Sequence, residues 1–359
     1  MSIENLARPE IRALRPYEAA QQVAGLVRLN ANEAPWPADG STRDGLNRYP
    51  QIRPLELHAR LAAHYGVPPD SILATRGSSE AIDLLVRAFC RAGVDEIMVS
   101  PPTFAMYRVY ADIQGAHTLS SPLLVDQDFA FDSASVLERC TGNTKLVFVC
   151  SPNNPTGGIV PLPAIRELCT ARAGRSLVVV DEAYAEFSET RSALSLFDED
   201  PARYDNLVVL RTLSKAHSLA GARCGAVIAG AELVKLLDRI QAPYALSTPV
   251  IDCVLRSLDR VNVERARQAA RDVVRERERL ADGLRNSAAV ARVWPSHANF
   301  LLAEFRSLLE TERRLRAHRI LVREFGEDAA LRNCARISVG KPQENDLLLA
   351  ALDAFAEQA

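Results

Sequence analysis

A lysine in a small-residue loop, an aspartate closing an apolar run and a Gly-Ser-Ser turn are the residues of this sequence best suited to chemistry. Lys215 lies in RTLSKAHSLAGARCG, with Thr212 and Ser214 before it and Arg223 after it. Hydroxyls and a guanidinium gathered around one amine suit a phosphorylated aldehyde held covalently, whereas a loop lysine taken alone reads as a surface residue. Asp181 closes the run VVVD, where a carboxylate is either paired within the fold or aimed at a cation such as a protonated ring nitrogen. Tyr184, three residues later in DEAY, and Asn154, in SPNNPTG, could each hydrogen-bond a phenolic oxygen. Gly77-Ser78-Ser79 opens a helix, so free backbone N–H groups and the positive dipole end form a natural phosphate cradle. The same serine pair also reads as a plain N-cap. Phe104, in PPTFAMY, could stack on a flat ring or simply fill the core.

Together these groups ask for a single ligand with a phosphate, an aldehyde, a flat aromatic ring and a basic ring nitrogen. Pyridoxal 5′-phosphate has all four.

The elements that must position these residues are also legible. Apolar runs recur at Glu96–Ser100, Lys145–Cys150, Ser176–Glu182, Asn206–Thr212 and Gly225–Gly230, and ILATRGSSEAID reads as strand, glycine turn and helix start. The runs are continuous rather than alternating, as strands of a largely parallel sheet buried on both faces should be. Helical patterns lie between them, for example Ser79–Arg91 and Leu162–Arg172, so the expected class is α/β. Ligands of such sheets bind beyond the carboxyl ends of the strands. The polar, Gly- and Pro-rich segments named above all follow strands, so they should share one rim.

The last third differs. Between Arg256 and Arg285 lie nine arginines and six acids, which predicts one long amphipathic helix with a solvated, ion-paired face rather than a nucleic-acid patch. After it, Ala298–Phe305, Ile320–Phe325 and Ala335–Gly340 read as strands and the end of the chain as a helix, which suggests a smaller α+β domain. The expected division is an arm over residues 1–45, a large cofactor domain over 46–245 and a small domain over 246–359. The Pro-containing segments Ala34–Pro37 and Ala242–Pro249 are candidate crossings between them.

Composition narrows the class further. The chain has 359 residues with 43 Lys plus Arg against 45 Asp plus Glu, so near-neutral charge gives no electrostatic case for nucleic acid or anionic membrane. Apolar residues make up 48% and charged residues 25%, ordinary globular usage that excludes disorder as the main state. No window approaches the roughly 18 uncharged apolar residues of a membrane span. The N-terminal stretch carries acids and lacks a long apolar core, so it is not expected to be a secretory signal. Seven cysteines, an odd number without a CxxC pair, argue against a disulfide framework or a structural zinc. No histidine has ligand spacing, so no metal is expected, and a reducing, cytoplasmic location follows.

SPNNPTG, DEAY and LSKAHSLAGARCG resemble the fold-type I pyridoxal-phosphate aminotransferases of class I/II. LNANEAPWP, RYP, ATRGSSEAID, PPTFAMY, APYALSTP and ARISVG resemble the histidinol-phosphate aminotransferase branch, from about Arg15 to the last helix. Phe104 stands where that branch commonly has tyrosine, His217 where it has phenylalanine, and Ser78-Ser79 where it has Ala-Asp. The resemblance implies roles residue by residue. Lys215 joins the cofactor aldehyde and later moves the substrate Cα proton, and Asp181 pairs with the ring nitrogen. Tyr184 and Asn154 contact the ring oxygen, and Phe104 stacks on the ring. Gly77, Ser78, Ser79, Thr212, Ser214 and Arg223 hold the phosphate, with Tyr49 reaching in from the second subunit of a homodimer. Arg336 binds the anionic end of the substrate, and Arg323, Tyr17 and Asn32 complete the pocket. The implied reaction passes an amino group from L-histidinol phosphate to 2-oxoglutarate. An aromatic amino acid aminotransferase, kept open by Phe104 and His217, is the first alternative. A decarboxylase of an O-phospho amino acid is a second, and a PLP-fold regulator without turnover a third.

Overall fold

The computed structural model describes residues 3–18, 20–23, 25–38, 45–326 and 328–353, and two sheets organise it. The larger sheet contains β1 (Ile72–Thr75), β2 (Glu96–Val99), β3 (His117–Ser120), β4 (Thr144–Cys150), β5 (Leu177–Asp181), β6 (Leu207–Thr212) and β7 (Gly225–Ala229). Its order is β1-β7-β6-β5-β4-β2-β3. Every pairing from β6 out to β3 is parallel, whereas β7 runs antiparallel to both neighbours.

The continuous apolar runs are explained by burial on two faces. Leu146 and Phe148 of β4, Leu177 and Val179 of β5, and Val208 and Leu210 of β6 enter one core with the helix Gly77–Phe89. Val147 and Val149, Val178 and Val180, and Leu207 and Val209 enter the other. Each full burial of such a side chain contributes on the order of 1.5–3 kcal/mol, so polar residues are kept toward the strand ends. Asp181 and Thr212 stand there, with Arg211 before Thr212 paired to Glu182 at 3.4 Å.

The smaller sheet is antiparallel, with β8 (Val290–Val293), β9 (Phe300–Phe305), β10 (Arg323–Glu324) and β11 (Cys334–Ser338) in the order β10-β11-β9-β8. Leu301, Ala303 and Phe305 of β9 and Ala335 and Ile337 of β11 pack against Leu280 and Leu284 of the helix Arg260–Asn286. Alternation sends Phe300, Leu302 and Arg336 to the opposite face.

The sheet is mainly parallel, as the continuous runs predict, with β7 running antiparallel because a short buried run does not encode its direction. Two expectations are corrected. Only Arg323–Glu324 of the Ile320–Phe325 run pairs as a strand, while Ile320 and Val322 pack on the small core as connection. The long helix is two, Thr248–Ser257 and Arg260–Asn286, because Leu258 turns into the core and Asp259 adopts an extended backbone between them. The ion-paired face is present, with Arg271–Glu264 at 2.9 Å and Arg285–Asp282 at 2.7 Å. Arg277 differs in being buried: besides its ion pair with Glu278 at 2.9 Å, it donates to the carbonyls of Phe187 and Ala298. No helix among the described residues is long and apolar enough to cross a membrane.

Candidate active site

β4, β5 and β6 end at one rim. Register sets Cys150 beside Asp181 and Asp181 beside Leu210, so Cys150, Asp181 and Thr212 continue the face that carries Phe148, Val179 and Leu210. They open into a cavity of about 1030 Å³ that the smaller sheet closes from the other side with Arg323 and Arg336.

One end of the cavity is built for an anion. Ser78 and Ser79 line it at the start of the helix Gly77–Phe89, whose first turn receives no side-chain cap from the described residues. The free N–H groups there, with the helix dipole, favour a bound anion. Thr212, Ser214 and Arg223 line the same cavity. The Thr212 hydroxyl donates to Ser214 Oγ at 2.9 Å, and Arg223 donates to Ser214 Oγ at 3.4 Å and to the Ala220 carbonyl at 3.2 Å. Gly77 has φ +73°, and a Cβ there would meet the Arg223 guanidinium at 2.8 Å. Only glycine lets that guanidinium lie over the helix start. Arg223 itself has φ +56°, a left-handed conformation costly for a side-chain-bearing residue and held by the closed loop around it.

The buried carboxylate lies deeper. Asp181 Oδ2 accepts from the Tyr107 hydroxyl at 2.8 Å, and Oδ1 accepts from the Ala183 N–H at 3.1 Å. Burial pushes its carboxyl up to about 6, while those two hydrogen bonds pull it down. A cation placed against it would stabilise the charged form.

Lys215 projects from the loop after β6, with Nζ 5.3 Å from the centre of the Tyr184 ring. Burial lowers its pKa first, then the charges of Arg336 and Arg223, with Asp181 opposing them. Tyr184 meets Phe300 of the small sheet edge to face at 5.1 Å. Asn154 Oδ1 accepts from Arg336, which ties the SPNNPTG loop to β11. The same loop is braced by Asn153, whose side chain donates to the Pro102 carbonyl at 2.9 Å and accepts from Thr103 at 2.7 Å. Gly157 and Ser296 meet so closely that a Cβ would lie 2.4 Å from Ser296 Oγ. Arg323 stands directly opposite Arg336 in the β10–β11 pair, so two guanidinium groups share one wall.

The structure thus brings Ser78, Ser79, Phe104, Asn154, Asp181, Tyr184, Thr212, Ser214, Lys215, Arg223, Arg323 and Arg336 to one cavity, with Gly77 beside it. Tyr17, Asn32 and Tyr49 do not line that cavity within one chain. Tyr49 stacks on Tyr244 at 4.6 Å, Tyr17 is exposed, and Asn32 takes φ +55° in the arm. His217, which keeps an aromatic substrate open in the sequence, is not among the cavity-lining residues: its ring meets that of His64 at 4.8 Å. Sequence reading missed two residues. Glu182 clamps the loop after β5, accepting from Ser192 at 2.6 Å and from the Ala193 N–H at 2.7 Å. Tyr107 reaches Asp181, and its only trace in the sequence is a second aromatic three residues after Phe104.

The donor set matches a phosphorylated, aldehyde-bearing pyridine. An uncapped helix start with hydroxyls and an arginine suits the phosphate, a buried carboxylate with no direct ion pair among the described residues suits the ring nitrogen, and an amine of lowered pKa suits the aldehyde. Fold and site together define a fold-type I pyridoxal-phosphate enzyme.

The chain belongs to the aminotransferase class I and II family, which matches residues 26–352. It is 43% identical over 353 residues to the histidinol-phosphate aminotransferase of Stenotrophomonas maltophilia (strain R551-3), covering 97% of this chain and 96% of that one. It is 42% identical over 355 residues to the protein of the same name from Xylella fastidiosa (strain 9a5c), covering 98% and 96%. The solved structure of histidinol-phosphate aminotransferase from Sinorhizobium meliloti in complex with pyridoxal-5′-phosphate is similar at 25% identity, with a TM-score of 0.76, covering 86% of this chain and 83% of that one.

Proposed function

We propose that this protein transfers the amino group of L-histidinol phosphate to 2-oxoglutarate, giving imidazole acetol phosphate and L-glutamate, as a step of histidine biosynthesis. The observation that carries the reading is the paired Arg323 and Arg336 on the wall shared with Lys215, in a chain so similar to histidinol-phosphate aminotransferases. Bound pyridoxal 5′-phosphate supplies an aldehyde that takes up the amino group and a ring that withdraws electrons from the substrate Cα.

The chain's own residues do the rest. Gly77, Ser78, Ser79, Thr212, Ser214 and Arg223 hold the cofactor phosphate, and Asp181 fixes the charge at the ring nitrogen. Phe104 stacks on the ring, while Tyr184 and Asn154 orient its oxygen. Lys215 Nζ, its pKa lowered by burial and by two arginines, takes the Cα proton of the amino donor. Arg336 accepts a phosphate from one substrate and a carboxylate from the other, which a guanidinium fork does bidentately. Arg323 adds the second charge that a phosphate dianion warrants.

The remaining assignments belong to the same reading. Residues 46–245 act as the cofactor domain, 246–359 as the small domain and 1–45 as an arm. The protein works as a cytoplasmic homodimer in which Tyr49 completes the site of a second copy, and Tyr17 and Asn32 are further residues of the substrate pocket. The arm's exposed Leu26, Val27 and Leu29, with Trp36 further along, support this, since closely spaced large apolar side chains left in water mark an interface. His217 lies off the cavity and so lends no support to an aromatic substrate.

Arg336→Ala tests the dual-anion pocket. KM for histidinol phosphate and for 2-oxoglutarate should both rise about tenfold or more, the loss expected for a charge-assisted pair. A rise for only one substrate would reject it.

A further inference from the structure

The buried aromatic next to the site has no role in the reading above. The Tyr107 side chain is fully buried, and its hydroxyl donates to Asp181 Oδ2 at 2.8 Å. Its ring stacks on Phe148 with centroids 4.6 Å apart and meets Phe104 edge to face at 5.6 Å. One side chain thus touches both the carboxylate that faces the ring nitrogen and the phenylalanine that faces the ring plane. We propose that Tyr107 is a positioning residue that fixes Asp181 and Phe104 relative to each other and keeps Asp181 charged toward the cofactor ring. This rests on the reading of Asp181 as the ring-nitrogen partner.

Burial keeps the Tyr107 hydroxyl protonated, so it acts as a donor. A donor bond to a carboxylate favours the ionised form, and Ala183 supplies the second bond on the other oxygen. Two donors on two oxygens fix the plane of the carboxylate and leave its remaining lone pairs to the cavity. The other titratable groups around Asp181 are Cys150 from β4, Glu182 and Tyr184 from the loop after β5, and Lys215. Of these, only Lys215 favours the charged carboxylate, and it does so across the cavity without a direct hydrogen bond. Tyr107 and Ala183 are therefore the groups that hold the charge in place. The stack on Phe148, itself part of β4, anchors Tyr107 to the sheet, so Phe104 gains a rigid neighbour.

Tyr107→Phe removes only the hydroxyl and keeps the ring contacts. In the cofactor-free protein, the pH midpoint at which Asp181 titrates, followed through the pH dependence of unfolding, should rise. In the holoenzyme, cofactor retention on dialysis should weaken and kcat fall, each about tenfold, with KM for histidinol phosphate within about twofold. The decisive measurement is a double-mutant cycle on cofactor retention with Asp181→Asn. If Tyr107 acts through the charge of Asp181, Tyr107→Phe should add little in the Asp181→Asn background. Equal, additive losses in both backgrounds would reduce Tyr107 to a structural residue and overturn the proposal. If Asp181→Asn alone left retention and turnover unchanged, the reading of Asp181 would fail first, a distinguishable result. Should Tyr107→Phe not fold, 3-fluorotyrosine in place of Tyr107 gives a stronger donor, and the Asp181 midpoint should then fall. A midpoint that stays put would count against the proposal.

Discussion

Replacing Asp181 by asparagine should make the cofactor-free protein more stable while weakening its hold on the cofactor. Asp181 is buried, and its carboxyl is displaced from an ordinary value of 3.8 up to about 6. A folded-state pKa above the unfolded one means that the carboxyl's relative stability is fully present below about pH 4 and lost as pH rises through 6. Above that window the charged carboxylate costs the empty site up to about 3 kcal/mol. Asparagine keeps a carbonyl oxygen for Ala183 and an amide that the Tyr107 hydroxyl can accept from, so much of that cost is relieved. The assay is urea unfolding of the cofactor-free wild type and variant at matched protein concentration, at about pH 8 and about pH 4. The variant should be more stable by about 1–3 kcal/mol at the higher pH, and the advantage should nearly vanish at the lower. With pyridoxal 5′-phosphate added, the order should reverse, because ligand binding stabilises only the form that binds it well. A variant less stable than wild type at both pH values would refute the claim that the empty site stores an unpaired charge.

Other perturbations follow from the same geometry. Lys215→Ala should abolish turnover while the protein still takes up the cofactor without a covalent link, checked by mass spectrometry and by absorbance after gel filtration. Gly225→Ala should destabilise by about 1–3 kcal/mol in thermal unfolding, because no side chain can give way. Its Cβ would stand 2.7 Å from the Arg211 carbonyl oxygen and 2.8 Å from Ser78 N, both backbone. Sedimentation across a concentration series should show a dimer whose dissociation parallels loss of activity, and full activity as a monomer would reject the shared site.

Much of this was legible because the chemistry sits where the strands stop. Val178, Val179 and Val180 announce a doubly buried strand, and a carboxylate placed directly after them needs a reason. The loop motifs around Asn154 and Lys215 announce themselves through Pro and Gly spacing. What escaped is nonlocal or weakly patterned. β3 (HTLS) lies at the sheet edge and half in water, so it lacks an apolar run. β8 (VARV) pairs on one side only, with arginine and alanine exposed. The break between Ser257 and Arg260 leaves the arginine pattern continuous, because the ion-paired face does not register where the backbone turns. Tyr107 was invisible as a functional residue because its partner lies 74 positions away across the sheet. His217 follows Lys215 by two positions, yet its ring meets that of His64 and it does not line the cavity.

A spectroscopic half-reaction distinguishes the substrate. The cofactor-loaded protein is mixed with L-histidinol phosphate and, separately, with L-phenylalanine, while the visible absorbance of the bound cofactor is followed. The band should be lost fast with histidinol phosphate and slowly with phenylalanine. The reverse preference would move the assignment to an aromatic aminotransferase and contradict the pairing of Arg323 and Arg336 as a phosphate site.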